Sequence, residues 1–160
     1  IEWGSGSAGW LYKYQMKGLE TRIYGLESEI HYDLTRIIKF YSNVSILRGS
    51  NITQKEPLAY MPPDKFLFST ELDLNPFSLD LTIKKAFSQD RLGEFETRTD
   101  GYFIVDLNSS FSLHKVKLKH KFLFSIDNIF NKKYYNHLSR IKDIMPEKGR
   151  SVGIQYRIVF

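Results

Sequence analysis

Apolar and polar residues alternate through seven separate stretches of this chain, at about 20–33, 37–48, 65–75, 79–88, 101–113, 117–128 and 150–160. In each, one parity is apolar: Phe66, Phe68, Leu72 and Leu74 in one stretch, then Leu79, Leu81, Ile83 and Phe87, then Phe103, Val105, Leu107, Phe111 and Leu113, then Leu118, Phe122, Phe124 and Ile126. The other parity carries Glu71 and Asp73, Asp80 and Lys84, Asp106 and Asn108, and the row Lys117, Lys119 and Lys121. Successive strand residues point to opposite faces, so this period predicts β-strands with one apolar and one polar face. The last stretch, "GRSVGIQYRIVF", carries Val152, Ile154, Tyr156, Ile158 and Phe160 on one face, with Ser151, Gly153, Gln155 and Arg157 on the other. An apolar row that runs to the last residue needs a cover along its whole length.

Composition narrows the choice of cover. No run approaches 18 apolar residues, so no transmembrane helix is expected. The opening "IEWGSGSAG" has neither the basic start nor the apolar core of a signal peptide, as expected if a signal has been removed or the natural start lies elsewhere. Cysteine is absent, which excludes disulfides and Cys-ligated metal sites and fits an oxidising compartment. A net charge of +5 admits nucleic acid or anionic lipid, but the Lys and Arg form no basic stripe with a recognition helix, so no nucleic-acid partner is expected. His31, His114, His120 and His137 are dispersed, which argues against a metal site. No catalytic triad, phosphate loop or paired-carboxylate site stands out, so neither an enzyme nor a cofactor is expected.

The connections sort by length. "YDLTR", "NPFS" and "LHKV" are short turns, and they alternate with the long loops "GSNITQKEPLAYMPPDK", "SQDRLGEFETRTDG" and "NKKYYNHLSRIKDIMPEKG". An outer-membrane barrel has this asymmetry, with short periplasmic turns and long extracellular loops, and its strands need only about 9–11 residues to cross. With Phe160 at the periplasmic side, Phe66, Phe68, Phe87, Phe103, Phe122 and Phe124 are expected near the outer ends as an aromatic girdle. A four-residue loop around "NPFS" is expected to set Glu71 across from Lys84, since opposite charges are favoured cross-strand neighbours. The region before residue 20 admits two readings. Trp10 to Tyr32 forms one long strand, giving seven strands, or "KGLE" is a hairpin, giving eight.

Four local patterns, taken in order, resemble the C-terminal part of a TonB-dependent outer-membrane receptor. They are "YKYQMKGLETRIYGLESE", like that family's Gly-x-Glu strand, and "PLAYMPPDKF", like its Leu-Pro-x-x-Pro-Pro-x-Arg/Lys loop. "IDNIFNKKYYNHLSR" is similar to its Asn-Leu-Phe-Asn-x-x-Tyr segment, and "PEKGRSV" with "YRIVF" to its Gly-Arg and terminal Phe. Met61 departs from the family pattern, which has Pro before the double proline. The resemblance spans about residues 10–160. It implies an all-β, antiparallel transmembrane β-barrel of about 22 strands, of which residues 1–160 would be the last seven or so, without the N-terminal plug. It also implies uptake of a scarce chelate such as a ferric siderophore, haem, cobalamin or zinc. The implied partners are outer-membrane lipid, TonB acting through a plug not present in this chain, the metal chelate or similar small substrate, and the barrel assembly machinery, which would read Phe160. The rival reading is a complete eight-stranded outer-membrane barrel with a structural or adhesive role.

Candidate substrate contacts lie in the outer loops. Tyr134, Tyr135, His137 and Arg140 offer aromatic faces, an imidazole and a guanidinium, and Tyr60 and Met61 sit in another loop. Loop geometry is the competing use of "NIFNKKYY". Gly25 and Glu27 share the polar parity and read as structural, as do Pro62 and Pro63, which stiffen the chain before Asp64. The lysine row is offset by carboxylates such as Asp106. Deleting Phe160 is expected to lower the amount of full-length protein in the outer-membrane fraction. Normal accumulation there would sink the assembly-signal role.

Overall fold

The computed structural model describes residues 2–6, 9–13, 18–115 and 118–160, with side chains from 18 to 114 and from 118 onward. A short hairpin comes first, β1 (Glu2–Gly6) paired with β2 (Gly9–Lys13). The main sheet follows: β3 (Thr21–Asp33), β4 (Ile38–Asn51), the two-residue β5 (Glu56–Pro57), β6 (Lys65–Asp73), β7 (Phe77–Ala86), β8 (Tyr102–Lys115), β9 (Leu118–Asp127) and β10 (Ser151–Val159). Each strand is antiparallel to its neighbour, in the order β10-β9-β8-β7-β6-β4-β3, with β5 pairing on β4. All seven long strands lie within a few residues of the stretches where alternation places them.

The region before residue 20 differs from both readings of it. Trp10 to Tyr32 is not one strand, because β2 ends at Lys13 and Gly18–Glu20 are irregular before β3 begins. Nor do Trp10 and its neighbours form a hairpin with β3, since β2 pairs with β1 in a sheet of its own. The entry to β3 is instead tied to the loop after β4: the Ile52 N–H donates to the Glu20 carbonyl at 2.8 Å, and the Glu20 N–H donates to Thr53 Oγ1 at 3.1 Å. Tyr14, Met16 and Lys17, and Lys117 of the lysine row, lie outside the described residues.

Register carries the apolar parity across the sheet without a slip. One row reads Val44, Phe66, Lys85, Phe103, and another Ser42, Phe68, Ile83, Val105. The row through Phe77, Phe111, Phe122 and Tyr156 is aromatic throughout, with ring centroids 4.8, 6.2 and 4.8 Å apart. Phe122 therefore stands with the rings near the short-turn ends of β7 and β8, and Phe124 lies mid-strand opposite Ser109 and Ile154. The expected outer girdle keeps Phe66, Phe68, Phe87 and Phe103 and loses these two. On the polar face Gly25 leaves room for Leu47, whose Cδ1 would lie 2.9 Å from an added Cβ.

The expected pairing of Glu71 with Lys84 does not occur. The β6–β7 turn is centred earlier, so Glu71 opposes Asp80 and Lys84 opposes Leu67. Lys84 reaches Asp106 on β8 at 2.6 Å, and Lys39 on β4 approaches Glu71 at 3.5 Å.

The described residues form no conventional core. Among the described residues the buried hydrophobic side chains are Met61, Ala86, Ile104 and Val105. The chain exposes 12233 Å², whereas a compact soluble monomer of its mass exposes about 8300 Å². Ile154 is 80% exposed and Phe160 99%. The ladder ends at β3 on one side and β10 on the other, and among the described residues those two edges do not pair with each other.

Parity then predicts unequal costs on adjacent residues. Ile154→Arg should impair membrane assembly of the full-length protein, at about 2–4 kcal/mol for Arg on a lipid face near the midplane. Gln155→Arg should be tolerated. Folding yield in bilayers of varied denaturant content measures both, and equal effects would remove the lipid-facing assignment of the even row.

Candidate functional site

The three long loops, residues 52–64, 87–101 and 128–150, leave the same ends of the strands, and local turn chemistry shapes each. Asn128 and Asn131 both have φ near 51°, a left-handed conformation that Asn tolerates better than most residues. The Asn128 side chain clasps the backbone of Lys132, accepting from its N–H and donating to its carbonyl, both at 2.9 Å. Asn131 Oδ1 accepts from the Arg150 N–H at 2.9 Å, closing the last loop at its base. Asp106 anchors the start of the loop by accepting from the Asn128 N–H at 2.7 Å. The geometric use of "NIFNKK" is thus visible bond by bond.

The first two loops interlock through backbone. Gly93 sits against Ala59 so closely that an added Cβ would lie 2.4 Å from the Ala59 nitrogen. Gln89 pairs with Thr99 across its own loop, and its side-chain amide donates to the carbonyls of Met61 and Pro62 at 2.9 and 3.2 Å. Glu96 joins all three loops. Its carboxylate accepts from the Tyr60 N–H at 2.7 Å and the Gly93 N–H at 2.8 Å, and stands 3.2 Å from His137 Nε2.

His137 is 4% exposed, and its other ring nitrogen stands 2.9 Å from Thr99 Oγ1. Lys142 Nζ donates to Thr99 Oγ1 at 2.7 Å and also to the Thr97 carbonyl. Lys142 Nζ also stands 3.4 Å from His137 Nδ1, and an ammonium can only donate, so Nδ1 presents its lone pair and the Thr99 hydroxyl, which accepts from Lys142, donates to it. That leaves Nε2–H to donate to Glu96 and assigns the neutral imidazole. Burial, reinforced by the Lys142 charge, holds the His137 pKa below its ordinary value even though Glu96 pulls the other way.

The six sequence-predicted contacts divide. Met61 is buried against Gly49, and His137 is enclosed in the network just described. Tyr134 is half-buried with its ring 4.4 Å from that of Tyr102. Tyr60, 64% exposed with φ at 60°, and Arg140 face outward. Tyr135 lines a cavity of about 290 Å³ with Arg98, Thr99, Asp100, Lys142 and Asp143, which brings two cations and two carboxylates around one aromatic ring. Sequence reasoning missed Gln89, Glu96, Thr99 and Lys142, because their partners lie tens of residues away and no local spacing marks them. Among the described residues no group of three or more His, Cys, Asp or Glu side chains could hold a metal ion.

No family model matches the sequence, and no curated protein sequence matches it. Solved structures do. The copper transporter OprC superposes with a TM-score of 0.82 at 21% identity over 96% of this chain. The chain has the fold of that part of OprC: an all-β antiparallel sheet of β-barrel type. It spans about a quarter of the OprC chain, 25% of its length.

A depressed His137 pKa has a definite sign. The unfolded loop binds more protons than the folded one below the ordinary histidine pKa of about 6.5, so the network's stability is full above that pH and declines as pH falls toward the lowered folded value. Protection of the Tyr60 and Gly93 amides, their exchange measured relative to the intrinsic rate at each pH, should fall on acidification from about pH 7 to about pH 5. His137→Gln should remove that pH dependence. Unchanged protection of both amides through this range would refute the neutral-imidazole assignment.

Proposed function

We infer that the chain is the last seven-strand portion of the barrel of a TonB-dependent outer-membrane receptor, which takes up a metal chelate or similar small nutrient. The observation that carries this is the sheet itself: seven long strands with a mostly apolar face left uncovered and two edges left unpaired among the described residues, short turns at one end and three interlocked loops at the other. In a bilayer the apolar face meets lipid, and only a closed sheet satisfies every backbone polar group. This supports membership of a longer barrel over a complete eight-stranded one, because β2 does not supply the eighth strand that would join β3 to β10. The fold shared with part of a copper transporter supports a transport role. In this role Tyr60, Tyr135 and Arg140 are the accessible loop groups for substrate, and no catalysis is assigned.

Uptake by cells carrying the full-length protein tests the function. A panel of ferric siderophores, haem, cobalamin, zinc and copper should include at least one compound whose accumulation needs both the receptor and TonB. Uptake of every panel member independent of TonB would overturn it. The 160-residue chain alone should refold in detergent to an insoluble or heterogeneous product, rescued by the upstream barrel. A monomer that migrates faster unheated than boiled would establish the eight-stranded rival instead.

A further inference from the structure

Lys85 interrupts the apolar row of β7. It follows Leu79, Leu81 and Ile83, precedes Phe87, and lies between Phe66 and Phe103 in the cross-strand row. Its Nζ stands 5.7 Å from the centroid of the Phe87 ring. Among the described residues no carboxylate lies within ion-pair distance of it or of Lys132. Neighbouring cations are treated differently. Lys84, one residue earlier on the polar face, has Asp106 at 2.6 Å, and Arg48, near the same end of the apolar face, makes a two-pronged contact with Asp64. Lys85 and Lys132 line a cavity of about 380 Å³ together with Gly101, Tyr102, Phe103 and Phe130. That volume falls within the range of small-ligand pockets, about 300–1,000 Å³.

We propose that Lys85 and Lys132, with Phe103 and Phe130, form a site on the apolar face for the phosphate headgroup of an outer-leaflet lipid. The site rests on the membrane reading, which puts the apolar face against lipid and the long-loop end at the outer interface. Two ammonium groups with no counter-charge among the described residues match a phosphate monoester, which carries about −1.5 to −2 at neutral pH. Phe103 is 46% exposed and Phe130 71%, so both rings are open to acyl chains and glycerol at the depth where aromatic residues favour the interface. The alternative is that each lysine extends separately into water along its own stem. Only the lipid site couples the two lysines to a phosphate.

The test uses the full-length protein in phosphatidylcholine nanodiscs doped with phosphatidic acid or with diacylglycerol, reading the lipid retained by native mass spectrometry. Wild type should retain phosphatidic acid and not diacylglycerol. Lys85→Gln with Lys132→Gln should weaken retention about tenfold or more, from the loss of two near-surface charges. Lys119→Gln with Lys121→Gln, an equal charge loss on the polar face, should leave it unchanged, and Lys85→Arg with Lys132→Arg should preserve it. Unheated-gel migration establishes that each variant is folded. Equal retention by the Gln pair and wild type would overturn the proposal, as would retention of diacylglycerol, which marks a merely apolar groove. Displacement by inorganic phosphate would replace the lipid with a soluble anion. Failure of wild type to enter the bilayer at all would instead sink the membrane reading from which the site derives.

Discussion

The inter-strand hydrogen-bond ladder from β3 to β10 is the interaction on which everything else in this chain depends, because side-chain burial within the chain is too slight to hold it together. Met61, Ala86, Ile104 and Val105 cannot supply the hydrophobic stabilisation of a domain of this length, and the exposed area exceeds that of a compact monomer by thousands of square ångströms. The ladder does what a core would otherwise do: it fixes the register, and the register carries the apolar parity from strand to strand. A shift of one residue at any pairing would turn the whole apolar row of the next strand to the polar face. Seven pairing partners in sequence thus produce one surface with one character.

The loop end is held by a different kind of interaction. There polar residues are buried beside Met61, among them Gln89, Thr99, Asn128 and His137, and among the described residues no buried side-chain polar atom is left without a partner. A buried polar network is stable only while each member has its partner, since an unpaired buried group costs about 1–3 kcal/mol. Glu96 concentrates this dependence. It holds two backbone N–H groups and the His137 ring from three loops at once. The loops are consequently linked to one another more tightly than their length suggests, and the groups left outward, Tyr60 and Arg140, are displayed on a fixed support.

How much was legible in the sequence follows from the range of each interaction. Strand identity is local, and period two placed β3, β4, β6, β7, β8, β9 and β10 within a few residues. Gly25 was legible for the same reason, since its parity alone puts it on the face where Leu47 needs room. The loop network was not, because Glu96, Thr99, His137 and Lys142 meet only after three loops have folded over one end of the sheet. His137 was singled out for its chemistry, yet its burial depends on Thr99 and Glu96, which carry no sequence mark. The hairpin of β1 with β2 was missed because Trp10, Tyr12, Tyr14 and Met16 continue the parity of β3, and parity does not say which strand is the neighbour.

The β6–β7 register shows most directly where sequence pattern runs out. Opposing Glu71 to Lys84 or to Asp80 preserves apolar parity equally well, since the two registers differ by an even number of residues, so the apolar pattern cannot choose between them. Cross-strand charge pairs contribute only about 0.2–1 kcal/mol. The turn decides instead: the Leu74 N–H donates to the Phe77 carbonyl at 2.8 Å, and the Asp73 N–H is engaged by the Ile37 carbonyl of the adjacent turn at 2.8 Å. Two turns bonded to each other form a fixed end from which the strands are paid out in step. The facing carboxylates are then accommodated separately, Glu71 by Lys39 at 3.5 Å and Asp80 by hydroxyl donation from Ser69 and Thr82 at 2.7 and 3.0 Å. Backbone closure sets the register, and the charges find partners afterwards, on the neighbouring strand for Glu71 and on both the neighbouring strand and its own for Asp80.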